Sequence, residues 1–202
     1  RQAHELQLQC VQDQLAEKDG EQILLLEHPP VFTLGSSGKQ DSLLKSAKDI
    51  LGRGAEIVHT ERGGDITYHG PGQLVVYPIV NLRRRKLSVT SFIEMLEEMM
   101  LLTVADAGVS ANRDSRNRGV WVGNNKVGSV GIRVRHGISF HGLSLNVNLS
   151  LEPFGWIRPC GLFGVGVTSL QKELGRDVAM HEVKENMQRY INTFLCREVA
   201  CQ

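Results

Sequence analysis

A cysteine in the run Arg158-Pro159-Cys160-Gly161 is the best-placed nucleophile in this chain. Pro159 fixes φ before it, and Gly161 leaves open backbone after it. An isolated cysteine is ordinarily a small inert hydrophobe. A thiol on a stiff turn with room beside it is better suited to attack. A second concentration of chemistry lies between Glu61 and Pro78, ERGGDITYHGPGQLVVYP. The pairs Gly63-Gly64 and Gly70-Pro71-Gly72 bracket the alternating run Asp65-Ile66-Thr67-Tyr68-His69. Glycine lets a backbone come close to a ligand, so a short strand between two such turns would aim Arg62, His69 and several N–H groups at one place. Glycine pairs alone usually mean a surface turn. Here a guanidinium, an imidazole and four glycines share eleven residues. Lys126, just after Asn124-Asn125, reads locally as an exposed lysine at a hairpin. The chain has no GxSxG elbow, Walker loop or GxGxxG, and its seven histidines show no metal spacing.

These groups need a scaffold, and the hydrophobic pattern supplies one. At 202 residues one domain is expected. The 41% apolar and 22% charged content is that of a globular protein, and a net charge of +1 argues for neither nucleic acid nor membrane as partner. The spacing of Leu8, Val11 and Leu15 predicts a helix over residues 1–18. Strands are expected at 23–26, 31–34, 56–59 and 74–80. A helix capped by Asp41 should carry Leu43, Leu44, Ala47, Ile50 and Leu51. Ser91 with Glu94 suggests a capping box for a Met-rich helix burying Phe92, Ile93, Leu96, Met99, Met100 and Thr103. A polar loop over 112–118 precedes β-type runs at 120–122, 126–134 and 138–148. Residues 155–166 read as an irregular, glycine-rich stretch. Asp177 is placed to cap a last helix with Val183, Met187, Tyr190, Ile191 and Phe194 inward. Helices and strands interleave without strict βαβ order, so an α/β or α+β domain with a mixed sheet flanked by helices follows. Arg83-Arg84-Arg85-Lys86 reads as a solvated turn or a dock for an acidic partner. Cys10, Cys196 and Cys201 read as structural, and all four cysteines as reduced thiols of an intracellular protein.

The run RGGDITYHGPGQLVVYPI closely resembles the signature of the octanoyltransferases of lipoate biosynthesis. Two later stretches resemble the same family: GVWVGNNKVGSVGIRV over 119–134, and 141–170 with HGLSLNVN and RPCG inside it. The resemblance implies the core shared by biotin and lipoate protein ligases and the class II synthetases. It implies a single catalytic domain over 1–202. It implies transfer of an octanoyl group from octanoyl-acyl carrier protein to the lysine of lipoyl domains, those of 2-oxoacid dehydrogenase E2 subunits and of the glycine cleavage H protein. In the family the cysteine of the PCG motif carries the acyl group as a thioester, which falls on Cys160, and a lysine paired with it falls on Lys126. The acyl site falls on Arg62, Gly63, Gly64, Asp65, Ile66, Thr67, Tyr68 and His69, on Ser129, Val130 and Gly131, and on Gly142, Leu143 and Ser144. His69 and His141 are candidates to orient groups near the thioester. Neither cofactor nor metal is expected, and the enzyme is expected to be a monomer. Ser129 and Ser144 stand where alanine is common in the family, and Arg135-His136-Gly137 where an aromatic residue is frequent. CGLFGVGVTSLQKEL looks closer to eukaryotic organellar members, which places the protein in the mitochondrion. The competing readings are an ATP-dependent lipoate or biotin protein ligase, and a non-catalytic module that binds carrier protein or lipoyl domains.

Overall fold

The computed structural model describes residues 1–158 and 165–195. Cys160, Cys196 and Cys201 lie outside the described residues. The elements in chain order are α1 (Gln2–Leu15), β1 (Gln22–Leu26), β2 (Val31–Leu34), α2 (Ala47–Gly52), β3 (Glu56–His59), β4 (Ile66–His69), β5 (Gln73–Ile79), α3 (Val89–Asp106), β6 (Asn112–Arg113), β7 (Gly119–Val122), β8 (Asn125–Arg135), β9 (Ile138–Asn146), β10 (Gly166–Val167), α4 (Leu170–Leu174) and α5 (Met180–Phe194).

The larger sheet runs β1-β5-β9-β8-β7-β6, and β10 adds to β8 in parallel; its other pairings are antiparallel. A smaller sheet, β3-β2-β4, has β3 parallel and β4 antiparallel to β2. Both sheets are therefore mixed or adjoined by parallel pairs, as the interleaved pattern implies. Strand alternation divides the core. Leu74, Val76, Leu143 and Leu145 face α3 and α5, where they meet Phe92, Leu96, Met99, Met100, Met187 and Ile191. Val75, Tyr77, Ile79 and Phe140 face α1 with Val11. Phe32, Leu34, Ile66 and Tyr68 of the smaller sheet form a third cluster with Ile50 and Ile157. The Met-rich face of α3 is thus core; Ile93 is only partly buried and turns toward the cavity described below.

Three helix starts differ from the sequence expectation. Residues 40–42 make a 3-10 turn, and α2 is capped by Ser46, whose hydroxyl accepts from the Asp49 N–H at 3.1 Å. Asp41 caps nothing there. The cap of α3 is Ser88, accepting from the Ser91 N–H at 3.0 Å; Ser91 lies inside the first turn. Asp177 accepts from the Gln171 side chain, and α5 starts at Met180 without a side-chain cap. Several Ser and Asp residues stand near each start, and tertiary packing decides which one the chain turns at. The consequence is measurable. Ser88→Ala should destabilise the fold by about 1 kcal/mol in urea unfolding, while Ser91→Ala should cost well under half of that. Equal losses would return the cap to Ser91.

The basic run is less free than its sequence suggests. Arg85 is tied to Glu21 and to the carbonyl of Leu195, and Arg84 reaches Glu17 at 3.4 Å. Among the described residues no helix is long and apolar enough to cross a membrane.

Candidate active site

The glycine motif closes against the larger sheet because its backbone can come within touching distance. The Gly63 N–H donates to the Ile132 carbonyl of β8 at 3.0 Å, and a Cβ on Gly131 would stand 3.1 Å from the Gly63 carbonyl. Across the motif, Gly35 packs so tightly that a Cβ would lie 2.3 Å from the Gly64 carbonyl. Arg62 is buried by this wrapping. Its Nε donates to Thr33 Oγ1 at 3.0 Å, Nη1 to the Gly63 carbonyl at 3.1 Å, and Nη2 to the Thr33 carbonyl. The guanidinium therefore welds the smaller sheet to the glycine turn and places a fixed positive charge at the junction.

Between the two sheets lies a cavity of about 550 Å³. Arg62, Gly63, Gly64, Asp65, Ile66, Thr67 and His69 line it from the glycine motif; Ser129, Val130 and Gly131 line it from β8, and Gly142, Leu143 and Ser144 from β9. Three segments far apart in the chain thus meet at one cavity. Tyr68 is the exception within the motif. Alternation along β4 sends its ring the other way, 5.0 Å from Phe32 and edge-on to Phe154 at 5.8 Å. Asp65 lines the cavity, yet its carboxylate is engaged by the Ser42 hydroxyl at 2.8 Å, which pins the turn before α2.

His69 sits in a polar chain that fixes its tautomer. Gln73 donates its amide to Asn146 Oδ1 at 2.8 Å and to the Tyr68 carbonyl at 3.3 Å, so its Oε1 is left to accept from His69 Nδ1 at 2.7 Å. The proton is therefore on Nδ1 and the other nitrogen is an acceptor. Asn146 donates onward to the Thr168 carbonyl at 2.9 Å, and the Thr168 N–H donates to the Lys126 carbonyl at 3.0 Å. One hydrogen-bonded path thus joins His69 to the strand that carries Lys126. Burial, then the Arg62 charge, lowers the His69 pKa to about 3. Burial, then His4 and Arg62, lowers that of His141 to about 3. Both imidazoles are neutral at physiological pH and act as hydrogen-bonding groups rather than cations.

His141 occupies the left-handed region, φ 56°, within β9. Its N–H leaves the ladder and is accepted by Gln7 Oε1 at 2.7 Å, which anchors α1 over the cavity. Its ring stacks on His4 at 5.4 Å, with Tyr77 edge-on at 6.2 Å and Tyr77 in turn bonded to His28 at 2.7 Å. Sequence reading did not find His4, His28 or Tyr77, because only folding gathers them.

Lys126 is buried, 8% exposed, and lines the same cavity. The hairpin reading made it an ordinary surface lysine; instead β10 pairs with the edge of its strand, Val167 opposite Lys126 itself. Its ammonium donates to Asn117 Oδ1 and lies 5.3 Å over the Trp121 ring, whose N–H is held by the Asn117 carbonyl at 3.2 Å. Asn117 falls in the stretch read as a polar loop, and no local signal marks it. The Asn117 oxygen and the Trp121 face both hold the charged ammonium in place at the cavity. Among the described residues no cluster of His, Cys, Asp or Glu could hold a metal ion.

The mixed α+β fold is shared with solved lipoate and biotin protein ligases. A lipoate-protein ligase A bound with ATP superposes with a TM-score of 0.74 at 14% identity, over 95% of this chain and 81% of that one. A bi-partite lipoate protein ligase of Thermoplasma acidophilum gives 0.72 at 15%, over 95% and 79%. A biotin protein ligase of Aquifex aeolicus in complex with biotin and ATP gives 0.53 at 16%, over 63% and 52%. Identities this low concern the fold. The lipoyl protein ligase A/B catalytic domain family matches residues 1–192. An octanoyltransferase of Desulfotalea psychrophila is 52% identical over 171 residues, 84% of this chain and 77% of its own. One of Geotalea uraniireducens is 42% identical over 193 residues, 96% and 87%. The chain belongs to the lipoyl protein ligase A/B catalytic domain family, and within it to the octanoyltransferases. It is an acyltransferase. These relatives are bacterial and lend no support to the mitochondrial expectation.

Proposed function

We propose that the protein takes an octanoyl group from octanoyl-acyl carrier protein, holds it as a thioester on Cys160, and passes it to the lysine of a lipoyl domain. The observation that supports this best is Lys126: a buried ammonium at a cavity whose apolar lining includes Val130, Ile132 and Leu143. Such a cavity suits a saturated chain and would leave its carbonyl to the polar groups. The cysteine's neighbours lend support from the chain path. Gly166 and Val167, shortly after Cys160, pair with Asn125 and Lys126.

In the first half-reaction Lys126 holds the Cys160 thiol proton as an ammonium, and the sulfur attacks the carbonyl carbon of the donor thioester. The carbon–sulfur bond to the carrier breaks, and the carrier thiolate takes a proton from Lys126. In the second, the acceptor lysine amine attacks the Cys160 thioester, Lys126 relays the proton lost by the amine, and the Cys160 thiolate is expelled. Lys126 thus alternates as acid and base. The donor is already activated, so no nucleotide is consumed.

That separates this reading from the ligases sharing the fold, which activate a free acid. Purified protein, octanoyl-acyl carrier protein and apo lipoyl domain should give octanoylated domain with no ATP present, at a rate unchanged by adding it. An absolute ATP requirement with free octanoate as donor would move the assignment to the ligases. A non-catalytic binding module would give no product in either mixture.

A further inference from the structure

Glu97 is buried in the core face of α3, 2% exposed, among Phe92, Leu96 and Met100. It is the one carboxylate among the described residues buried to that degree. A charge in such a place needs partners, and its partners all lie on one segment. Oε1 accepts from the backbone N–H of Gly119 at 2.7 Å. Oε2 lies 3.4 Å from Arg118 Nη1 and 3.5 Å from Arg113 Nε. The carboxylate thus draws in both strands of the β6–β7 turn.

That segment is the seat of Lys126. Gly119 has φ 133°, and a Cβ on it would stand 2.6 Å from Lys126 Cε and 2.3 Å from the Gly128 carbonyl. The main chain that Glu97 grips is therefore pressed against the lysine's own stem. Two residues upstream, Asn117 accepts the ammonium through Oδ1 and holds Trp121 through its carbonyl. The ammonium lies over that same ring. Releasing the Gly119 N–H would loosen the stem contact, the amide acceptor and the aromatic floor together.

We propose that Glu97 is a positioning residue for the transfer, acting through the Gly119 and Asn117 seat to hold the Lys126 ammonium at the cavity. The inference rests on the proton-relay reading of Lys126. Glu97 does not line the cavity, so its loss should act on the chemical steps and leave substrate affinity alone.

Glu97→Gln keeps the shape and a carbonyl acceptor for Gly119 but removes the charge; its kcat should fall about tenfold, since charge-assisted bonds are roughly twice as strong as neutral ones. Glu97→Ala removes the anchor, and its kcat should fall about 10²-fold, the scale of an ångström's misplacement. KM for octanoyl-acyl carrier protein should stay within about twofold in both. Glu98→Gln, which removes only the exposed partner of Arg113 at 2.6 Å, should turn over like the parent protein. The deciding measurement repeats both changes in a Lys126→Met background, reading single-turnover acyl transfer. If Glu97 works through Lys126, neither change lowers the residual rate further. A loss of the same size in both backgrounds, or parent-like kcat in both single variants, overturns the proposal. Parent-like activity in Lys126→Met alone would instead remove the relay reading, and this inference with it. Should Glu97→Ala fail to fold, Glu97→Gln carries the same cycle.

Discussion

Lys126→Met is expected to lower octanoyl transfer by about 10³-fold while the fold survives. General acid–base catalysis by one positioned group is worth roughly 10²–10⁴-fold, and in the proposed reaction one group serves both half-reactions. Methionine keeps much of the stem that lies against Gly119 and Trp121. It leaves Asn117 Oδ1 without its ammonium, a loss of about 1–3 kcal/mol if that oxygen stays buried. Unfolding should therefore shift modestly and turnover severely, and that contrast separates chemistry from folding. The Cys160 thiol adds a second readout. A free cysteine titrates near 8.5, and a nearby ammonium lowers that value. A thiolate and an ammonium held close together stabilise each other, and such a pair would titrate as a unit. If the resting pair is thiolate and ammonium, alkylation of Cys160 by iodoacetamide should shift to higher pH in Lys126→Met. If burial keeps both neutral, the alkylation profile barely moves and transfer still collapses. Parent-like turnover would remove Lys126 from the mechanism whatever the alkylation profile.

Cys160→Ala should abolish transfer outright. Without the sulfur no covalent intermediate forms, and the acceptor amine must attack the carrier thioester directly in one crowded complex. The remaining machinery, with Arg62, His69 and Lys126 in place, should still bind octanoyl-acyl carrier protein with affinity near that of the parent. Binding measured by calorimetry and transfer measured on the same sample would show one without the other. Near-normal turnover in this variant would mean direct transfer and no role for the thiol. Loss of both together would place Cys160 in binding rather than in bond-making.

Much of this was legible in the residues. The strands 23–26, 31–34, 56–59 and 74–80 match β1, β2, β3 and β5 within a residue, because short runs of Val, Ile and Leu bounded by polar, Gly or Pro residues read as strands, and β5 is buried along its whole length. The glycine motif announced close backbone approach, and the approach is real at Gly63 and Ile132. What escaped is what only tertiary contact creates. Asn117 is one polar residue in a polar loop until β7 and β8 bring it to Lys126. Glu97 looks like any helix glutamate until Gly119 and two arginines converge on it. Lys126 itself reads as exposed because the groups around its side chain, Asn117, Gly119 and the Trp121 ring, come from the loop and strand on the far side of the turn. Tyr68 shows the opposite failure: a motif taken as one lining surface has two faces, and the aromatic one belongs to the core of the smaller sheet.

Intact-protein mass spectrometry after brief mixing with octanoyl-acyl carrier protein, in the absence of acceptor and nucleotide, tests the central claim most directly. The account predicts a single octanoyl adduct that peptide mapping places on Cys160. Hydroxylamine should remove it as it removes a thioester, and apo lipoyl domain should discharge it to the octanoylated domain at the rate of overall transfer. An unmodified enzyme that nonetheless transfers octanoyl, or an adduct on another residue that discharges at that rate, would contradict it.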